Sequence, residues 1–124
     1  MRILFIGDVV GKPGREAVKK GVPQLLEKHN LDLIVANAEN AAGGSGLTPE
    51  IYKELIEAGV DAITLGDHVY RRKVIYATLE KQDNIVRPAN LPEEAVGREW
   101  MTVEARDGTT VGIACILGQL FMKP

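Results

Sequence analysis

Apolar positions along this chain gather into short runs that end on polar tips, and three of these runs lead into a helical pattern. RILFIG (2–7), LDLIVAN (31–37) and DAITLG (61–66) are rich in Ile, Leu and Val and have the length of single strands. The helix after the first is entered through KPGREAV and carries an inward stripe of Val18, Val22, Leu25 and Leu26, with Pro23 marking a kink or break. The second follows the loop AAGGSG, with Thr48 as N-cap, Pro49 at the first helical position and Glu50 in the first turn. The third is expected from about Arg71 to Glu80, after the loop DHVY. A short strand NIVRPAN follows, then REWMTVEA and TTVGIACILG, joined by RDG as a hairpin. Strand and helix in alternation predict an α/β fold with a mainly parallel sheet built from βα units and a C-terminal hairpin. LDLIVA and VGIACIL are apolar on both faces, so both sides of the sheet need cover, with the helices on one side or on both.

The totals narrow the classes. A length of 124 residues with 45% apolar content suits one globular domain, and no linker or repeat divides it, so 1–124 is expected to be a single domain. Fifteen basic and seventeen acidic residues give a net charge of −2 without a long run of one sign, which argues against a nucleic-acid duplex or an anionic membrane as partner. Cys115 is the one cysteine; in its apolar run it reads as buried filler, and a lone thiol suits a reducing cytosol. No signal peptide or membrane span is evident, so the expected location is the cytoplasm.

Chemistry concentrates at the strand tips, where loops of open parallel sheets collect functional groups. The tips read GDVVG, NAEN and GDH, which should bring Asp8, Glu39, Asn40, Asp67 and His68 to one rim. Asp8 and Glu39 alone fit solvated loop acids as well as metal ligands, but three converging carboxylates repel unless a cation lies between them. Oxygen-rich donors suit Mn²⁺, Mg²⁺ or Fe, and two such ions can share a bridging carboxylate. Phosphate-loop readings of GDVVGKPGR fail. A Walker A loop needs four residues before Gly-Lys and a hydroxyl after it, whereas three residues and Pro13 stand here, and the glycine spacing does not match a dinucleotide fingerprint. Gly11 and Gly14 are better explained as permitting a tight turn that aims Asp8 inward. The remaining polar positions read as ordinary structure: His29 as a surface residue at a helix end, Arg87, Pro88 and Asn90 as a strand-ending turn, Arg71, Arg72 and Lys73 as a solvated helix start, and Trp100 and Met101 as packing or interface residues.

GDVVGKPGR, NAENAAGGSGLT, DAITLGDHVY and VRPANLP, in this order and spacing, resemble the YmdB-like branch of the calcineurin-like metallophosphoesterases along essentially the whole chain. The resemblance implies half of a four-layer α-β-β-α sandwich, a centre of two divalent or Fe/Mn-type ions, and hydrolysis of phosphodiesters, with 2′,3′-cyclic nucleotides as substrates. It implies that Asp8 binds the first metal, Glu39 bridges, Asn40 lies at or near the first metal, Asp67 binds the second, and His68 acts beside the scissile phosphate as the catalytic residue. Two departures follow. Asp67 stands where the family usually has Asn, and the family's second half, with its Gly-His-Thr-His type motif, has no counterpart, since His29 and His68 are the only histidines. The chain therefore reads as an N-terminal half that holds one ion or none and is weakly active or inactive. On this reading the missing half forms the second sheet, which accounts for the ending FMKP directly after an apolar strand. The alternative is a non-catalytic module that binds a nucleotide or a protein through the same rim, and an exposed apolar sheet face predicts a homo-oligomer.

Overall fold

The computed structural model describes residues 1–120. Strands β1 (Ile3–Ile6), β2 (Leu33–Asn37), β3 (Ala62–Thr64) and β4 (Ile85–Val86) form one parallel sheet in the order β1-β2-β3-β4. Between them run α1 (Gly11–His29), α2 (Pro49–Glu57) and α3 (Tyr76–Lys81), the last entered through a 3-10 turn at Lys73–Ile75. Every crossover advances one strand in the same direction, so right-handed connections put all three helices on one face. The packing agrees: Ile34, Ala36, Ile63 and Ile85 share a core with Val18, Val22, Leu55 and Leu79.

The hairpin of β5 (Trp100–Glu104) and β6 (Thr110–Ala114) covers the other face. Gly108 turns it at φ +87, and the Asp107 carboxylate accepts from the Thr109 amide at 2.9 Å. Met101, Val103, Val111 and Ile113 pack on Leu33, Val35, Ala62 and Val86, the opposite residues of strands whose other side faces the helices. This explains why β2 reads as apolar throughout. Cover stops short of β1, where Ile3 and Phe5 are 49% and 60% exposed. Helices, parallel sheet and hairpin thus make three layers, and the hairpin covers much of the apolar face that was expected to await a second sheet from a missing half.

Local expectations hold where the signal is local. Thr48 Oγ1 accepts the Ile51 amide at 3.3 Å, capping α2 as its sequence predicts. Pro23, by contrast, neither breaks nor ends α1. It removes one backbone donor on an exposed face, while Val18 and Val22 before it and Leu26 after it hold the helix on the core. Leu25 departs from the predicted inward stripe: it is exposed and flanks the free edge of β1, beside Leu4 and Ile6. The third helix begins later than Arg71 because the chain first makes tight turns, with the Val69 and Arg71 amides donating to the Gly66 and His68 carbonyls. Of the two residues read as packing or interface, Met101 packs in the core and Trp100 is exposed. Cys115 is half-buried against the hairpin-face core, where burial raises its thiol pKa and keeps it neutral. The FMKP ending, 121–124, lies outside the described residues.

Candidate metal centre

The carboxyl ends of β1, β2 and β3 are laced together by their backbones before any side chain acts. Val9 N–H donates to Asn37 O at 3.0 Å, Gly11 N–H to Asn40 O at 3.0 Å, and Ala38 N–H to Thr64 O at 3.0 Å. Gly11 makes the first of these turns at φ +56. Gly14 serves close approach rather than the turn, since a Cβ there would lie 3.1 Å from Val9 Cγ1 and 3.3 Å from Val9 C. These bonds place the tips from three separate segments side by side.

All five predicted site residues stand at this rim, in two linked groups. Asn40 Nδ2 donates to Asp8 Oδ1 at 2.7 Å, forming one group. Glu39, Asp67 and His68 form the other, with one ligand atom from each within 4.8 Å of the rest. Asn40 joins the groups, because its Oδ1 contacts His68 Nδ1. A carboxylate can only accept, so the bond to Asp8 fixes the Asn40 amide nitrogen and turns its oxygen to the imidazole. His68 then carries its proton on Nδ1, leaving Nε2 toward Asp67 Oδ2 at 3.7 Å.

Glu39 is the most enclosed acid of the set. Asn37 Nδ2 donates to its Oε1 and the His68 amide to its Oε2, both at 3.4 Å. Gly66 makes room for it, because a Cβ built at that position overlaps the Glu39 carboxylate. Burial, then the neighbouring Asp67 carboxylate, raises the Glu39 pKa above the ordinary carboxylate value. Among the described residues, neither Asp8, Glu39 nor Asp67 forms an ion pair with Lys or Arg; His68 alone faces Glu39 and Asp67. Crowded oxygen donors, one imidazole and no compensating side-chain cation fit a hard or borderline metal ion.

Several contributors escaped sequence reading. Asn37 opens the NAEN tip and steadies Glu39 through side chain and backbone; its position at a strand end was its only signal. Gly66 precedes the predicted pair but gave no sign that it cradles Glu39. Arg87 follows the end of β4, as the strand-ending turn predicts, but it is 1% exposed, and its guanidinium donates to Ala95 O at 3.2 Å and Pro88 O at 2.9 Å, pinning the loop before β5. His29 lies far from the rim: α1 starts at the rim and runs 19 residues, about 28 Å, before reaching it.

Comparison with known proteins gives consistent relatives. The YmdB-like protein family model matches residues 4–124. A Bacillus subtilis (strain 168) protein named 2',3'-cyclic-nucleotide 2'-phosphodiesterase is 46% identical over 124 residues, covering 100% of this chain and 47% of that protein. A crystal structure of a hypothetical protein from Thermus thermophilus superposes with a TM-score of 0.92 at 41% identity, over 100% of this chain and 48% of that one. A crystal structure of a novel phosphatase from Mycoplasma pneumoniae gives 0.85 at 36% identity, over 94% and 43%. The chain spans about half the length of the Bacillus subtilis protein that it matches.

Proposed function

The chain belongs to the YmdB-like protein family, and from that membership we propose that its rim is the first half of a metal-dependent phosphodiesterase centre acting on 2′,3′-cyclic nucleotides. The observation that carries the reading is the convergence of Asp8, Glu39 and Asp67 without a Lys or Arg partner among the described residues. Asp8 and Asn40 would hold a first ion, Asp67 a second, and Glu39 would bridge. When bound, Mn, Fe or Mg ions supply Lewis acidity toward the phosphoryl oxygens and lower the pKa of water. The chain's own part is orientation and proton handling. Asn40 locks the His68 ring through Nδ1, so in the imidazolium form Nε2–H, which faces Asp67 Oδ2 at 3.7 Å, is the donor left for phosphoryl oxygen or the leaving alkoxide. The Asn37 side-chain amide, the His68 backbone N–H and the space left by Gly66 keep the Glu39 carboxylate from swinging into solvent.

This chain contributes one imidazole to the rim, since His29 is remote, and Asp67 adds negative charge where an anionic substrate must approach. Both features support an incomplete centre of low or no activity in the chain alone. They also favour a second reading, a non-catalytic module that binds a nucleotide or protein through the same rim. No helix among the described residues is long and apolar enough to cross a membrane, and we place the protein in the cytoplasm. The exposed Ile3 and Phe5 support self-association through the sheet face, to be checked by light scattering.

Hydrolysis of bis-p-nitrophenyl phosphate with Mn²⁺ tests the enzyme reading on the complete gene product, where turnover is expected; its absence overturns the proposal. Calorimetry on the chain separates the two readings. Cyclic-nucleotide binding that EDTA abolishes supports the metal centre, and binding indifferent to EDTA supports the module.

A further inference from the structure

The loop AAGGSG should be slack by composition, yet it carries Glu39 and Asn40 on its leading end. Gly43, Gly44 and Gly46 adopt φ of +62, +94 and +88, and glycines lose more conformational freedom on ordering than any other residue. Four backbone hydrogen bonds close the loop: Ala42 N–H to Gly46 O at 2.9 Å, Ser45 N–H to Ala42 O at 3.2 Å, Gly44 N–H to Asn40 O at 3.1 Å and Gly46 N–H to Glu39 O at 2.5 Å.

Arg72 closes it from outside. Its Nη2 donates to Ala42 O at 3.0 Å and its Nε to Ser45 O at 3.2 Å. A Cβ on Gly46 would lie 2.7 Å from Arg72 Cγ and 3.0 Å from Arg71 Cβ, so the arginine stem lies directly on a glycine with no room for a side chain. From α1, Arg15 Nη1 donates to Ala41 O at 2.8 Å. At its other end, Arg72 is tied to the third tip. Between His68 and Arg72 the chain is folded by the Val69 to Gly66 and Arg71 to His68 backbone bonds, both 3.1 Å. The guanidinium therefore belongs to the second tip and the backbone to the third. Arg71, Arg72 and Lys73 are exposed at the start of the 3-10 turn, as a solvated helix start predicts, but the Arg72 guanidinium also reaches two carbonyls of the loop.

We infer that Arg72 is a positioning residue: by clamping the glycine loop onto the segment after Asp67-His68, it sets the spacing between the Glu39-Asn40 pair and the Asp67-His68 pair. The planar fork reaches two carbonyls at once, which a lysine ammonium cannot reproduce in one geometry. The consequence for metal binding rests on the metal-centre reading, so the test carries one readout with metal and two without.

Wild type, Arg72→Ala, Arg72→Lys and Arg71→Ala are compared for Mn²⁺ affinity, for amide exchange at Gly44 and Gly46, and for the His68 imidazole ¹⁵N signals at one fixed pH. Arg72→Ala is expected to keep its circular dichroism, to bind Mn²⁺ about tenfold more weakly and to exchange the two glycine amides about tenfold faster. Its His68 signals should leave the Nδ1–H pattern toward tautomer averaging. Arg72→Lys should recover part of each change, and Arg71→Ala should match wild type. Unchanged glycine exchange and imidazole signals in Arg72→Ala overturn the inference, as does an equal effect from Arg71→Ala. If wild type binds no Mn²⁺, the metal-centre reading fails by itself while the two metal-free readouts still decide the role of Arg72.

Discussion

The two faces of the parallel sheet are made from the same strands and end in different conditions. On the helix face, Ile34, Ile63 and Ile85 are fully enclosed by α1, α2 and α3. On the hairpin face, Leu33, Val35 and Val86 are enclosed equally well, but Ile3 and Phe5 one strand away lie open. The difference lies in what is stacked on top. The three helices enclose β2 to β4 and leave Leu4 and Ile6 of β1 partly buried, whereas the two-stranded hairpin leaves Ile3 and Phe5 of β1 exposed. Asp8 follows β1, so the most open part of the sheet leads to an exposed acid of the candidate centre.

The largest contrast is a pair of truncations. Ile63→Ala is expected to cost about 3 kcal/mol in urea unfolding, because it leaves a cavity in a closed core, while Phe5→Ala should stay within about 0.5 kcal/mol. A large cost at Phe5 would break the comparison, meaning that something covers the open face in solution. Arg87→Ala comes next, with an expected loss of about 2 kcal/mol, since it removes the guanidinium bonds to the Ala95 and Pro88 carbonyls and empties a site 1% exposed. Arg87→Lys should recover little, and hydrogen exchange should report loosening at 88–99 before the helix face responds.

At the rim the expected effects are on binding more than on folding. Gly66→Ala drives a methyl group into the Glu39 carboxylate and should weaken Mn²⁺ binding about tenfold, read by the paramagnetic resonance of the free ion. The smallest effect is on pH dependence. Glu39 holds its proton more tightly folded than unfolded, so its ionisation opposes folding: stability falls as pH rises from about the ordinary value of 4.5 through the folded pKa. Glu39→Gln removes that penalty. The variant should melt above wild type at pH 7, and the gap should close when the pH is taken below the unfolded value. A gap that widens toward acid would show that Glu39 is stabilised as an anion.

Much of the fold was legible in local patterns. The βα order, the Thr48 cap and the hairpin follow from periodicity, capping chemistry and turn residues within a few positions of one another. The strand tips likewise announced Asp8, Glu39, Asn40, Asp67 and His68, because a polar residue ending a buried parallel strand has few other places to go. What escaped, apart from the convergence of the tips, were features that depend on how separate elements pack. Pro23 reads as a break until packing on both sides holds α1 together, and Leu25 reads as core until the edge of β1 is seen to be bare.

By itself, then, the sequence determined which segments become strands and helices and which polar groups stand at their ends, since those choices depend on neighbours along the chain. Tertiary structure alone decided that all helices share one face, that Arg87 is a buried strut, and that Asn40 joins Asp8 to His68. The reason is that these outcomes rest on crossover handedness, on the loop that folds back over Arg87, and on contacts between residues about thirty positions apart, for which local patterning carries no energy term.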